Sequence, residues 1–197
     1  MNGAAGPDRI GRLRESIQLI KTLWTEHSVT FEGKYYQTLS ASANPMPVRR
    51  PHPPIIVGGR SRAIMDVATD LADGWAPYLL DPDGLSVRIE YVKTRLRDIG
   101  RPLGDSEIIY GADLCAVSED PQDVNRLCQV ISYLSGIPVD MLPNIVGTPD
   151  QIIRRVETLC EVGVTSLLVG FVELPTMSLS LDSIRLFGSD VIPSFRS

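Results

Sequence analysis

Apolar residues along this chain alternate between two periodicities. From residue 8, Ile10, Leu13, Ile17, Ile20, Leu23 and Trp24 recur at helical spacing, with arginines and Glu15 on the other face. The stretch Val29-Thr30-Phe31-Glu32-Gly33-Lys34-Tyr35-Tyr36 predicts a short hairpin turning at Glu32-Gly33, and residues 38–52, rich in Ser, Ala, Asn and Pro, an extended connection. Pro53-Pro54-Ile55-Ile56-Val57-Gly58-Gly59-Arg60-Ser61 then reads as a buried strand that ends in two glycines and enters a helix near Arg62. That helix carries Ala63, Ile64, Val67, Ala68 and Leu71 on one face.

The remainder repeats the scheme. A brief buried strand is expected over 72–77, then a helix with Asp81 as N-cap, Pro82 in its first turn, a stripe of Leu85, Ile89, Val92, Leu96 and Ile99, and Gly100 as its end. A third strand covers 107–117. The next helix covers 121–134, with Val124, Leu127, Cys128, Ile131 and Leu134 facing inward. Residues 136–146 read as a loop, and Thr148-Pro149-Asp150-Gln151 as a capping box. The helix it opens carries Ile152, Val156, Leu159 and Cys160 and closes at Gly163. A fourth strand over 164–171, a loop over 172–180, and a helix with Leu181, Ile184 and Phe187 complete the pattern, before a tail at Val191-Ile192-Pro193. Four strand–helix units in alternation predict a parallel α/β sheet with right-handed crossovers. A doubly wound sheet and part of a (β/α)8 barrel satisfy the pattern equally.

Composition narrows the partners. At 197 residues the chain can build one sizeable core, and 43% hydrophobic with 22% charged residues suits a globular protein. The net charge of −5 offers nothing to nucleic acid. No apolar run reaches the roughly 20 residues that a membrane helix needs, and no signal peptide is read, so a cytoplasmic protein is expected. Lysine stands only at Lys21, Lys34 and Lys93, an arginine bias suited to a high-GC bacterial genome. Cys115, Cys128 and Cys160 lack metal-ligand spacing and read as buried thiols; no metal site is expected.

The candidate chemistry lies at the glycines. Gly58 and Gly59 expose backbone N–H groups, and Ser61 caps a helix whose first turn attracts an anion, which together make a phosphate cradle. On local grounds a tight βα turn that binds nothing fits equally well. His27 follows a helix end and His52 sits between prolines; neither has a carboxylate or cysteine placed for a relay. No nucleophile elbow, P-loop or paired carboxylate occurs, and no catalytic residue is assigned.

Several landmarks occur together in order. They are Leu23-Trp24, the hairpin 29–36, the strand and loop 53–61, Ala72-Asp73-Gly74-Trp75, Gly147-Thr148-Pro149-Asp150-Gln151, and Phe187-Gly188-Ser189-Asp190-Val191-Ile192-Pro193. In this spacing, from about Arg9 to Phe195, the chain resembles the bacterial luciferase-like superfamily, particularly its actinobacterial deazaflavin-dependent branch. The resemblance implies a TIM-type (β/α)8 barrel binding coenzyme F420 or FMN, and an oxidoreductase transferring hydride to, or oxygenating, a small organic substrate. A whole barrel takes about 250 residues. The four units are therefore expected to be strands five to eight, a truncated C-terminal half within one domain over 1–197. The resemblance assigns Gly58, Gly59, Arg60 and Ser61 to the cofactor phosphate. It leaves Trp75 or Tyr78 to line the pocket; Asp73-Gly74-Trp75 reads first as packing, and Glu173 as a solvated loop carboxylate on the active face. Four parallel strands cannot close, so a homo-oligomer or a partner completing the barrel is expected. The alternatives are a non-catalytic relative that binds a phosphate-bearing ligand or only oligomerises, and a fragment of a longer enzyme.

Overall fold

A computed structural model describes residues 8–78, 80, 82–102, 106–139, 145–171 and 177–195. Asp81, Glu173 and the loop over 172–176 lie outside these, as does the side chain of Leu134. The element order is α1 (Arg9–Thr25), β1 (Val29–Glu32), β2 (Gln37–Ala41), β3 (Ile56–Gly58), α2 (Arg62–Leu71), β4 (Gly74–Ala76), α3 (Pro82–Asp98), β5 (Glu107–Val117), α4 (Pro121–Ser135), β6 (Ile145–Gly147), α5 (Pro149–Val162), β7 (Ser166–Phe171) and α6 (Met177–Leu186). A π-helical turn (Phe187–Val191) and a 3-10 turn (Ile192–Phe195) follow. The expected strand–helix alternation is present and its sheet pairings are parallel. The chain divides into two compact units, Met1–Ala76 with Tyr91–Glu107, and Pro77–Glu90 with Ile108–Ser197.

In the first unit β3 runs parallel to β4, with Ile56 opposite Gly74, Val57 opposite Trp75 and Gly58 opposite Ala76. α2 covers the pair, burying Met65, Val67, Ala68 and Thr69. The later half of α3 adds Val92 and Leu96, both buried; Ile99, expected in that stripe, stands past the helix end and is 42% exposed. Each buried Val, Leu or Ile side chain is worth roughly 1.5–3 kcal/mol. On α1 only Ile17 is fully buried, and Ile20 is exposed, because this helix lies against α2 through charge as well as apolar contact. Arg14 reaches Asp70 at 2.6 Å, Arg95 reaches Asp70 at 2.9 Å and Asp66 at 3.3 Å, and Tyr91 donates to Asp66.

β1 and β2 form an antiparallel pair. The hairpin is longer than the sequence pattern indicates: its turn spans residues 33–36, and the strand β2 runs over Gln37–Ala41, taking in 38–41 of the expected connection. The reason lies on α1. The Glu15 carboxylate accepts from the backbone N–H groups of Lys34, Tyr35 and Tyr36 at 3.0, 2.8 and 2.6 Å, fixing the turn later than Glu32-Gly33 alone would.

In the second unit β5 pairs parallel with β7, Ile109 opposite Ser166, and with β6, Cys115 opposite Ile145. β6 falls partly inside the expected loop 136–146; at three residues it is too short for periodicity to signal. Leu85 and Ile89 of α3 are buried as expected, and Leu127 and Ile131 of α4 pack on Ala116. Thr148 and Gln151 form the expected capping box, with Thr148 N–H donating to Gln151 Oε1 at 2.9 Å, and Gly163 ends α5 at φ +108°. On α6 the pattern misleads. Leu181 and Ile184 are exposed, and Ser183 is buried, bonding both the N–H and the C=O of Val117 on β5.

Burial raises the affinity of Asp70 for a proton, but hydrogen bonds from Arg14 and Arg95 outweigh it and hold the carboxyl below its ordinary 3.8. A lowered folded-state value contributes stability above the unfolded value and loses it as pH falls through the folded one. Asp70→Asn is therefore expected to cost about 1–2 kcal/mol in urea unfolding at neutral pH, with the difference from wild type shrinking below pH 3.8. An equal deficit at both pH values would refute this account.

Candidate functional site in the β3–α2 loop

β3 ends at Gly58, and the chain turns through Gly59 and Arg60 into α2. Gly59 has φ +143°, a region that L side chains rarely adopt, and an added Cβ would sit 3.0 Å from Ile64 Cγ2. The φ strains any side chain there, and Ile64 would have to give by a few tenths of an ångström. Gly58 is different: it is exposed, and its Cβ would meet Ala76 O at an ordinary 3.7 Å. Ser61 is the N-cap of α2, accepting from Ile64 N–H through its side chain at 3.4 Å. Arg60, Ser61, Arg62 and Ala63 are all exposed. The first turn of α2 holds no acidic residue, so an approaching anion would meet the helix dipole without a competing carboxylate. Of the sequence-predicted residues, Gly58, Arg60 and Ser61 are exposed at one corner, the C-terminal end of β3, and Gly59 is buried between them.

Trp75 lies beneath that corner. It is 1% exposed, and its indole Nε1–H donates to Gly59 O at 2.8 Å, while Gly59 N–H donates to Ala76 O at 3.1 Å. Its neighbour Gly74 permits close approach, as the sequence suggests: a Cβ would lie 2.7 Å from both Glu107 O and Ile56 Cδ1. Tyr78, described within the second unit, is 40% exposed and bridges to Gly111.

Asp73 is the residue whose role sequence reasoning did not find. Its Oδ2 accepts from Ile55 N–H at 2.8 Å, and its own N–H donates to Ile55 O at 2.8 Å. An acidic residue directly before a strand-opening Gly-Trp was the available signal. A carboxylate does stand near His52, though not at hydrogen-bond distance. His52 Nδ1 lies 3.9 Å from Asp73 Oδ2 and 2.8 Å from Pro53 O, since the extended connection brings it to the start of β3. Around them, Arg49, Arg50, Arg101 and Glu107 help to line a cavity of about 560 Å³. Arg101 donates to Thr69 O and Ala72 O at the C-terminal end of α2, the positions where a cation suits the dipole.

The thiols separate by environment. Cys115 is buried, and burial pushes its thiol up to about 12. Cys128 is half-buried, and Cys160, expected to be buried, is exposed on α5 beside an apolar cavity of about 500 Å³ shared with Phe187, Ile192 and Phe195. Among the described residues no group of three or more His, Cys, Asp and Glu could hold a metal, and no helix is long and apolar enough to cross a membrane.

Two glycine substitutions test the loop geometry. Gly59→Ala is expected to cost about 1–3 kcal/mol, because it adds strain at positive φ to a tight contact with Ile64; Gly58→Ala is expected to cost within about 0.5 kcal/mol. Thermal unfolding of both variants checks the contrast, and equal costs would contradict it.

Comparison with known proteins agrees with this architecture. A family model described as luciferase-like monooxygenase matches residues 1–141. The F420-dependent glucose-6-phosphate dehydrogenase of Nakamurella multipartita is 41% identical over 225 residues, 99% of this chain and 64% of that protein. The FMNH(2)-dependent dimethylsulfone monooxygenase of Pseudomonas putida is 24% identical over 224 residues, covering 96% and 59%. Among solved structures, a monooxygenase from Streptomyces bottropensis superposes with TM-score 0.80 at 17% identity, over 96% of this chain and 62% of that one. The chain therefore spans about three fifths of the length of these relatives. Its fold is that of part of their (β/α) barrel, and by the family model the chain belongs to the luciferase-like monooxygenase family.

Proposed function

We propose that this chain provides the cofactor-phosphate end of a flavin- or deazaflavin-dependent oxidoreductase, with coenzyme F420 as first choice and FMN as second. The carrying observation is the Gly59 turn. A backbone held at φ +143° opens onto the N-terminus of a ten-residue helix that has no acidic side chain in its first turn. Gly59 gives its own N–H to Ala76 O, so the groups that favour a phosphate are the backbone N–H groups of the first turn of α2, the Ser61 hydroxyl and the Arg60 guanidinium. In this reading Gly58, Gly59, Arg60 and Ser61 hold the phosphate, and Trp75 belongs to the cofactor site. The preference for the deazaflavin draws support from the Nakamurella relative, which is named for F420 and shares 41% identity, against 24% for the FMNH(2)-named one.

Bound there, the cofactor would supply a ring carbon for hydride exchange with a small organic substrate, or reduced FMN for oxygenation. The chain's own residues bind and orient it, and none is assigned to move a proton. Residues 1–197 are read as one partial barrel, its strands five to eight, acting in the cytoplasm. A second reading, a non-catalytic relative or a piece of a longer enzyme, draws on the chain's span of 59–64% of those relatives.

The pairing of the last strand bears on partners. Among the described residues β7 pairs only with β5, and its Leu168 is 62% exposed. A second copy, or a partner completing the barrel, is the expected occupant of that side. Sedimentation should find a dimer or larger species, or a complex with that partner; a well-behaved monomer would refute the association.

Cofactor mass and the absorbance spectrum of the purified protein test the main reading. Coenzyme F420, or failing it FMN, is expected to co-purify or to bind at about micromolar concentration. A colourless chain that binds neither would leave the non-catalytic reading in front.

A further inference from the structure

The connector that enters β3 ends in Arg49-Arg50-Pro51-His52-Pro53-Pro54, two adjacent cations ahead of an imidazole between prolines. Residues of this stretch, with Asp73, Arg101 and Glu107, line the cavity of about 560 Å³ at the N-terminal foot of β3. All of them belong to the first unit. β3 itself separates this cavity from Gly58–Ser61, which stand at the other end of the strand. The cofactor reading uses none of its groups.

The lining divides into groups that are held and groups that are open. Arg101 donates to Thr69 O and Ala72 O, which fixes its guanidinium at the C-terminal end of α2. Asp73 gives Oδ2 to Ile55 N–H. His52 is held as well. Its Nδ1 lies 2.8 Å from Pro53 O, and a carbonyl only accepts, so Nδ1 carries the proton and the neutral ring keeps its lone pair on Nε2. That side chain is 11% exposed, and its Nε2 has no partner among the described residues. Arg49, Arg50 and Glu107 are exposed, and none of their side chains makes a hydrogen bond or ion pair among the described residues.

Two neighbouring guanidiniums therefore share one cavity without a counter-charge. The carboxylates of the lining do not supply it: Asp73 is taken by Ile55, and Glu107 pairs with neither arginine. Guanidinium forks suit an anion with several charged oxygens. A bare anion would be repelled by Asp73 and Glu107, whereas these oxygens and His52 Nε2 can accept from hydroxyls. The cavity thus suits a molecule that carries both parts, a dianionic head and hydroxyl donors behind it.

We propose that the foot of β3 is a second ligand site, for a small hydroxylated phosphate monoester. Arg49 and Arg50, with Arg101 behind them, take the phosphate, while Glu107 and His52 Nε2 accept from its hydroxyls. The site is separate from the cofactor-phosphate loop and does not depend on it.

The two histidines supply a local readout. His52 lines the cavity and His27 does not. The full chain, labelled with ¹⁵N-histidine, is titrated at fixed pH with glycerol 3-phosphate, propyl phosphate and glycerol. Glycerol 3-phosphate is expected to shift the His52 imidazole resonances with a Kd of about 0.1–1 mM and to leave His27 in place. Propyl phosphate, which lacks the hydroxyls, should bind about fivefold more weakly or worse, and glycerol should not bind. The double variant Arg49→Gln/Arg50→Gln changes exposed positions only, and should weaken glycerol 3-phosphate about tenfold or more with its unfolding midpoint unchanged. Arg60→Gln, at the other end of β3, should leave the His52 titration as it is.

A His52 resonance that stays in place up to about 10 mM glycerol 3-phosphate would overturn the proposal, and so would equal affinity in the arginine double variant. Binding lost in Arg60→Gln instead would put the phosphate at the cofactor loop, ending the second site and supporting the cofactor reading. Equal affinity for propyl phosphate would overturn the roles of Glu107 and His52, and with them the hydroxylated ligand.

Discussion

The geometry of the candidate site depends on how two three-residue strands are held in register. β3 and β4 are each too short for their ladder alone to fix them firmly. What fixes them is that Ile55 and Gly59, the residues just outside the ladder, have both backbone groups taken by the β4 segment. Because two of those bonds end on the Asp73 and Trp75 side chains, the loop is set by chemistry one strand away from it. The conformation of Gly59 and the placement of the α2 N-terminus both follow from this clamp.

The same economy appears elsewhere in the chain. Ser183 ties α6 to β5 by bonding both groups of Val117, and Glu15 ties the hairpin turn to α1. In each case one polar side chain satisfies backbone groups that regular secondary structure leaves open. Such residues do not follow the apolar pattern. They are also where expectation and structure part.

Longer elements were legible because periodicity accumulates over their length. The stripe Leu85, Ile89, Val92 and Leu96 is buried as its spacing indicates, and the glycines at 100 and 163 stand at positive φ after their helices. The loop at 58–61 was legible as a turn because glycines, a serine and a following helix name it locally. Its support from Asp73 was not, since a carboxylate that bonds a backbone N–H eighteen residues away leaves no local trace. β6 was too short to register, and the buried Ser183 lies outside the stripe of Leu181, Ile184 and Phe187 that the pattern picks out on α6. The exposure of Cys160 shows the limit of the helical stripe. One turn beyond Val156, the neighbouring Leu159 fills the buried position.

The Glu15 clasp carries a consequence for the order in which the chain assembles. Its bonds span 19 to 21 residues, while Ile108 and Thr165, which hold the second unit's sheet, are 57 apart. Closing the shorter loop loses less chain entropy, so α1 and its hairpin can organise while the long crossover is still open. A nascent chain would therefore display α1 with its formed hairpin before β5 had found β7. During that interval the apolar faces of the later strands would be exposed to other molecules, which is the window in which a second copy, or a chaperone, would first meet this protein.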